Sequence, residues 1–195
     1  MNQWNNRRRI LPLFALLWLP LATACSDPFG PLNWDATPDT ATIWSASRAE
    51  LVGQPSAFDF AVTVLPVFIE SESPSASWDV VLIDQNGQLA LAPASYFAGQ
   101  SDRAAIAVRP NTSLDAVTRA PSDSTSYLRT PVPLEAGTVY VIRTRVDVCE
   151  GGFSTGTRYA KIRPVTIDQQ AGVFTFELVR NPYCSKRDFI PPDND

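Results

Sequence analysis

Gly137 to Val179 reads GTVYVIRTRVDVCEGGFSTGTRYAKIRPVTIDQQAGVFTFELV. Its first run, Val139 to Val148, alternates: Tyr140, Ile142, Val146 and Val148 fall on one face, and Arg143, Arg145 and Asp147 on the other. A period of two marks a half-buried strand. Arg158 to Arg163 repeats the pattern, and Val173 to Val179 places Phe174, Phe176 and Leu178 on one side with Thr175 and Glu177 opposite. Gly151-Gly152 and Gln170-Ala171-Gly172 lie between the runs and supply the positive φ that tight turns need. Three consecutive strands with turns between them predict a C-terminal antiparallel meander.

The other segments are also short and extended. Ala41 to Ala46 reads as a first strand with Ile43 inside. Phe58 to Ile69 is rich in Val, Phe and Ile but contains Pro66, which predicts a sheet edge or a bulge. Glu70 to Ser77 is a Ser/Glu/Pro loop. Trp78 to Asp84 is a strongly apolar strand. Asn86-Gly87 then predicts a type I′ hairpin with Leu89 to Leu91 as its return. Asp84, Asn86 and Gln88 alternate as calcium ligands can, but no distal acid completes the set, so the turn explains them. Ala94 to Gln100 is a loop carrying Tyr96 and Phe97. Ala104 to Val108 is a strand stopped by Pro110, and Ser113 to Val117 is one helical turn capped by Ser113. Ala120 to Ser126 is a polar loop, and Tyr127 to Val132 is extended. The prediction is an all-β, two-sheet antiparallel, sandwich-like domain over residues 41–189, with a mobile tail over 190–195.

The first residues read as an export leader, 1–24: Arg7-Arg8-Arg9, an apolar run from Ile10 to Leu21, then Ala22-Thr23-Ala24. That run is shorter than the ~20 residues that span a bilayer. Leu21-Ala22-Thr23-Ala24-Cys25 resembles a bacterial lipobox, with the leucine one place further from the cysteine than usual. The expectation is cleavage before Cys25, lipidation of its thiol and anchorage in the outer membrane of a diderm bacterium; ordinary cleavage nearby stays open. Residues 25–40 then form a proline-rich tether, in which Phe29 and Trp34 are expected to pack on the domain's edge.

Removing the leader leaves about 170 residues, enough for one domain with a real core. The whole chain has 16 Lys and Arg against 20 Asp and Glu; three of the arginines leave with the leader, so the remainder is 13 against 20, a charge of −7. That excess of acid argues against nucleic acid as a partner. Histidine is absent, which excludes Ser–His–Asp and Cys–His machinery and any histidine-held metal. The carboxylates Asp59, Glu70, Glu72, Asp79 and Glu150 are scattered, and no phosphate loop or dinucleotide motif occurs. The chain is not expected to be an enzyme. With Cys25 lipidated, Cys149 and Cys184 remain; one follows the first meander strand and the other the third, so they are expected to form a disulfide. In the chain-entropy model such a link over ~35 residues contributes roughly 3–4 kcal/mol. Arg143, Arg145, Lys161 and Arg163 are expected on a solvated outer face, paired with Asp147 and Glu177.

The pieces VYVIRT, YAKIRPVTI and GVFTFELV, with Trp78-Asp79-Val80-Val81-Leu82 and Ala57-Phe58-Asp59-Phe60 before them, resemble the HmuY-like family of haem-binding surface lipoproteins. The likeness runs patchily from Ala57 to Val179. It implies a β fold with a haem cleft between β elements. The family's haem ligands are histidines, or methionines in some relatives; this chain has no histidine, and its single methionine is Met1, so no ligand carries over. Tyrosine can hold haem iron, and Tyr96 and Tyr127, in loops, are the two candidates. No resident cofactor is expected. The expectation for function is a ligand-binding module with Trp78, Tyr96, Phe97 and Tyr127 around a small hydrophobic ligand in an inter-sheet cleft; the alternative is a structural or partner-contacting envelope lipoprotein.

Overall fold

The computed structural model describes residues 34–69, 77–97 and 103–192. The leader, Cys25, the first part of the tether, most of the 70–77 loop, the end of the 94–100 loop and residues 193–195 lie outside the described residues. Twelve strands follow in chain order: β1 (Asp39–Trp44), β2 (Ala57–Asp59), β3 (Leu65–Val67), β4 (Val80–Gln85), β5 (Gln88–Pro93), β6 (Ala105–Arg109), β7 (Val132–Pro133), β8 (Val139–Arg143), β9 (Asp147–Val148), β10 (Thr155–Gly156), β11 (Tyr159–Asp168) and β12 (Val173–Asn181). They form two five-stranded sheets, β1-β12-β11-β8-β6 and β3-β2-β4-β5-β7, with β9-β10 a separate hairpin. All strand pairs are antiparallel. The fold is the expected all-β, two-sheet arrangement, and β8, β11 and β12 are the expected meander.

The inner faces of the two sheets meet in one apolar core. Ile43, Phe58, Phe60, Leu82, Leu91, Ile106, Tyr140, Ile142, Ile162, Phe174 and Phe176 are all fully buried there. Phe58 and Phe60 lie 4.4 Å apart by ring centroid, and Phe174 and Phe176 stack at 5.0 Å. The middle of the sandwich is therefore filled, and a cleft of about 350 Å³ remains at its edge, between Thr40, Thr42 and Leu178 on one sheet and Phe58, Leu65 and Pro66 on the other. Tyr140 is the one phenol inside; its hydroxyl donates to Pro133 O at 3.0 Å and accepts from Glu135 N at 2.8 Å. Burial pushes that phenol up to about 12.

Turn chemistry follows the sequence. Asn86 and Gly87 both have positive φ, 57° and 83°, between the paired Gln85 and Gln88, as a type I′ turn requires. Pro66 sits in β3, at an outer edge of its sheet, where its missing N–H costs no ladder bond. The Phe58–Ile69 run is broken: β2 and β3 are two strands joined by a turn at 60–64. Pro164 lies inside the central strand β11, and a bulge between Pro164 and Thr166 accommodates it.

The first meander strand is shorter than the alternation predicted. It ends at Arg143, and Arg145 turns inward, where its backbone N–H donates to Asp79 Oδ1 at 2.8 Å. Past that twist Val146 and Val148 are 43% and 55% exposed, not on the core face. The expected four-residue positive face does not form either. Arg163 pairs with Glu177 at 2.7 Å as expected, and Arg145 reaches Asp147 at 3.3 Å. Lys161, however, is buried, and Arg143 lies over the Tyr127 ring at 4.8 Å. The reason is a second layer on this sheet. The connection between β6 and β7 and the segment after β12 cover it, burying Leu114, Val117, Ala120, Tyr127 and Phe189 against Val139, Val141 and Val179. Trp34 and Ala36, from the expected tether, pack against the same cluster, and β1 already begins at Asp39.

One lateral seam of the sandwich is closed by the chain itself. Leu128 bridges Ile106 at the β6 edge, and four residues later Val132 pairs with Leu91 at the β5 edge.

Candidate functional site

Strand β4 is apolar on both faces. Val80 and Leu82 point into the main core, and Val81 and Ile83 point to the opposite face of the sheet. That outer face carries small residues, Ala57, Ala92, Ala94 and Ala104, beside the strand-flanking Trp78. Small side chains there leave room for aromatic ones to lie across the sheet. Trp78 stands edge-on to Phe97 at 5.6 Å, and Phe97 edge-on to Tyr96 at 5.2 Å. This geometry suits the ring quadrupoles. A surface pocket of about 410 Å³ opens beside them, lined by Ala46, Ser47, Ile69, Trp78, Val81, Ile83 and Phe97.

Six of the seven described lining side chains are apolar or aromatic, and Ser47 is the exception. Ser47 Oγ already accepts from Asp84 N at 3.1 Å. The nearest charge in sequence, Arg48, is committed to Asp84 at 2.9 Å and to the carbonyls of Gln169 and Gln170. A ligand here meets aromatic edges and branched aliphatic groups, with no charged side chain among the described lining residues.

Three of the four expected ligand-binding residues therefore come together: Trp78, Tyr96 and Phe97. They do so on the outer face of one sheet, not between the sheets; the cleft that does lie between the sheets, at the β1–β3 edge, is lined by none of the four. Tyr127 is elsewhere. It belongs to the layer over the other sheet, 7% exposed, with its hydroxyl donating to Pro121 O at 3.2 Å. Burial and the neighbouring Tyr159 push its phenol well above the usual range. Such a hydroxyl does not serve as an iron ligand without dismantling that layer.

A second cluster escaped the sequence reading. Asp59 and Asp79, far apart in sequence, meet on Arg145, with Arg145 Nη1 2.8 Å from Asp59 Oδ1 and 3.3 Å from Asp79 Oδ2. Both carboxylates also accept backbone N–H groups. Asp59 takes those of Ala61, Val62 and Thr63, and Asp79 takes those of Phe60, Ala61 and Arg145. Arg180 donates to the carbonyls of Phe60 and Ala61. Together these hold the 60–64 turn, including Val64 at φ 55°, a left-handed conformation costly for a β-branched residue. Burial opposes ionisation of Asp59, yet the Arg145 hydrogen bond and the N–H donors outweigh it and hold its carboxyl below the usual range. For fully enclosed Asp79 burial prevails over the attraction of Arg145 and pushes the carboxyl up to about 6. With their oxygens filled by donors, the two carboxylates act as a clamp between the sheets.

Cys149 and Cys184 are joined by a disulfide, with Cα atoms 5.6 Å apart. Gly156 lies against it; a Cβ there would sit 3.1 Å from Cys149 Sγ. Arg158 donates to Pro182 O, Val148 O and Glu150, and Glu150 accepts from Cys184 N at 3.1 Å. Among the described residues no group of three or more Asp, Glu, Cys or His is placed to hold a metal ion. No family model matches the chain, and no curated protein and no solved structure matches it.

Proposed function

We propose that this chain is an exported, membrane-anchored binding module that takes a small, neutral, hydrophobic ligand in the Trp78–Phe97 pocket. One observation carries the reading: the pocket's aromatic and aliphatic lining is a cluster separate from the inter-sheet core, so closing the sandwich does not require it. Sites for small ligands are concave and mostly apolar. The ligand is taken as neutral because no charged side chain is among the described residues that line the pocket. The lipobox-like Leu21 to Cys25 supports export and anchorage, and the disulfide suits an oxidising compartment. The HmuY-like resemblance supports a shared scaffold. It brings no haem ligands, and of the two tyrosines considered Tyr96 alone stands beside the pocket.

The test is a titration of the soluble chain from Ser26, which lacks the lipidated Cys25, with N-phenyl-1-naphthylamine, a neutral apolar fluorophore, and separately with haem. One saturable dye site, lost in Phe97→Ser and kept in Tyr127→Phe, is the expected result. A saturable Soret shift that Tyr96→Phe abolishes would instead mean that haem is the ligand. Dye binding unaffected by Phe97→Ser would rule the pocket out. Mass-spectrometric detection of acylated Cys25 checks the anchor.

A further inference from the structure

The two large sheets end in four edge strands, β1 and β6 on one and β3 and β7 on the other. An open edge pairs with any extended chain that reaches it, so proteins guard their edges. Three are guarded here. Leu128 takes both the N–H and the C=O of Ile106 in β6. β3 carries Pro66 and β7 carries Pro133, neither with an N–H to offer. β1 differs. Its six residues pair with β12 in unbroken register, with no proline and no bulge. Ser45 N donates to Gly172 O, one place before β12, and Trp44 N donates to Pro55 O on the other side. Antiparallel ladders alternate, so Ala41 and Ile43 bond β12, while Thr40 and Thr42 turn their main-chain groups away from it. Among the described residues nothing bonds those groups. Both residues line the β1–β3 cleft, with Phe58, Leu65, Pro66 and Leu178. Beyond Thr42 the edge is closed, since Pro55 already holds Trp44.

We infer that β1 takes an added strand from another protein, an extended segment that hydrogen-bonds Thr40 and Thr42 and puts alternate apolar side chains into the β1–β3 cleft. The chemistry of the occupant follows from the groups presented. Two N–H donors and two C=O acceptors, spaced two residues apart on one edge, fit an extended main chain and not a compact apolar molecule. The apolar wall beside them receives every second side chain, the period that such a chain offers. The fold already uses this contact at its opposite seam, where the chain from Leu128 to Val132 runs from the β6 edge to the β5 edge. A cleft walled by both sheets admits a single chain rather than a second copy's β1, which would bring its own β3 with it. Asp39, the one charged side chain among the described lining residues, forms no ion pair among the described residues, so a basic residue suits that end. The cleft shares no lining residue with the Trp78–Phe97 pocket, so this inference stands apart from the function proposed above.

The soluble chain from Ser26 is titrated with the capped peptide acetyl-KVTVTVK-amide, a strand former with valine at alternate positions, while amide hydrogen exchange is followed by NMR. In the free chain the Thr40 and Thr42 amides are expected to exchange fast and those of Ala41 and Ile43 slowly. Saturating peptide is expected to slow Thr40 and Thr42 by about tenfold or more. Thr40→Pro removes one outward donor and leaves the β12 ladder intact, which circular dichroism checks. It is expected to weaken the peptide by about tenfold, whereas Thr40→Val, which keeps the N–H, binds it as the wild type does. Failure of the peptide to bind overturns the inference, as does binding that leaves the Thr40 and Thr42 amides fast or survives Thr40→Pro unweakened. Slow Thr40 and Thr42 amides in the free chain overturn it too. If slow at every concentration, the edge is held by the chain's own residues; if slow only when concentrated, it is held by a second copy.

Discussion

Two buried acids on one guanidinium give the domain a specific response to pH. Asp79 has its carboxyl raised to about 6 by burial, above its value in an unfolded chain. The folded protein then holds that proton more tightly between roughly pH 4 and 6, so stability falls as pH rises through this window. Asp59 has the opposite sign. Its depressed carboxyl contributes stability that is present above the unfolded value of 3.8 and lost as pH falls through the folded one. The urea midpoint is expected to rise from pH 7 to about 5 and to drop below about pH 4. In Asp79→Asn the slope between pH 5 and 7 should vanish while the acid-side loss remains. A flat wild-type profile between pH 5 and 7 would mean that Asp79 stays ionised throughout. None of this cluster was legible beforehand. Asp59 and Asp79 are 20 positions apart and Arg145 lies 66 beyond Asp79, and strict alternation puts Arg145 outside. The alternation fails there because a guanidinium that can satisfy two buried carboxylates gains more by twisting inward than by solvation.

Lys161 shows how single contacts hold whole segments. Its ammonium donates to Leu114 O at 2.8 Å and Val117 O at 3.0 Å, and lies 5.5 Å from the Phe189 ring centroid. It pins the Ser113-capped turn to the sheet, and Ala120 N to Arg187 O and Phe189 N to Thr118 O tie the same layer to the C-terminal segment. Lys161→Met keeps the stem but removes both donors. It is expected to cost roughly 2–3 kcal/mol in urea unfolding and to speed tryptic cleavage after the exposed Arg119. Unchanged cleavage would mean that the layer holds without Lys161. Local chemistry made several elements readable: Asn86-Gly87 set the hairpin, Pro66 marked an edge, Ser113 capped its turn. Those signals act over two to four residues. The layer over β8 and β11 was not readable, because nothing local in Lys161 or Tyr127 distinguishes a strand face open to water from one that a distant loop covers.

At the scale of the molecule, the sandwich leaves one sheet covered by its own connections and the other with an aromatic pocket on its outer face. The pocket was partly legible. Trp78 and Phe97 stood out as large aromatics beside turns, and the unbroken apolar run of β4 marks a strand buried on both sides. Tyr127 was drawn in on the same grounds, since no sequence signal says on which sheet a loop residue lands. The strand order has a mechanical consequence as well. Asp39 lies opposite Leu178, so the start of β1 and the end of β12 share one end of one sheet. Tension applied between the two ends of the domain opens that ladder pair by pair, as a zipper opens, and meets little resistance at each step. The pull on the C-terminal side passes from Cys184 straight to Cys149, and the 35-residue span they enclose, with β11 and β12 inside it, carries no load. Stretched singly, the oxidised domain should unravel to a contour about 120 Å shorter than the reduced one. The span inside the disulfide and the chain outside it thus have unequal mechanical fates, and β12 is let go by β1 long before it can itself be drawn straight.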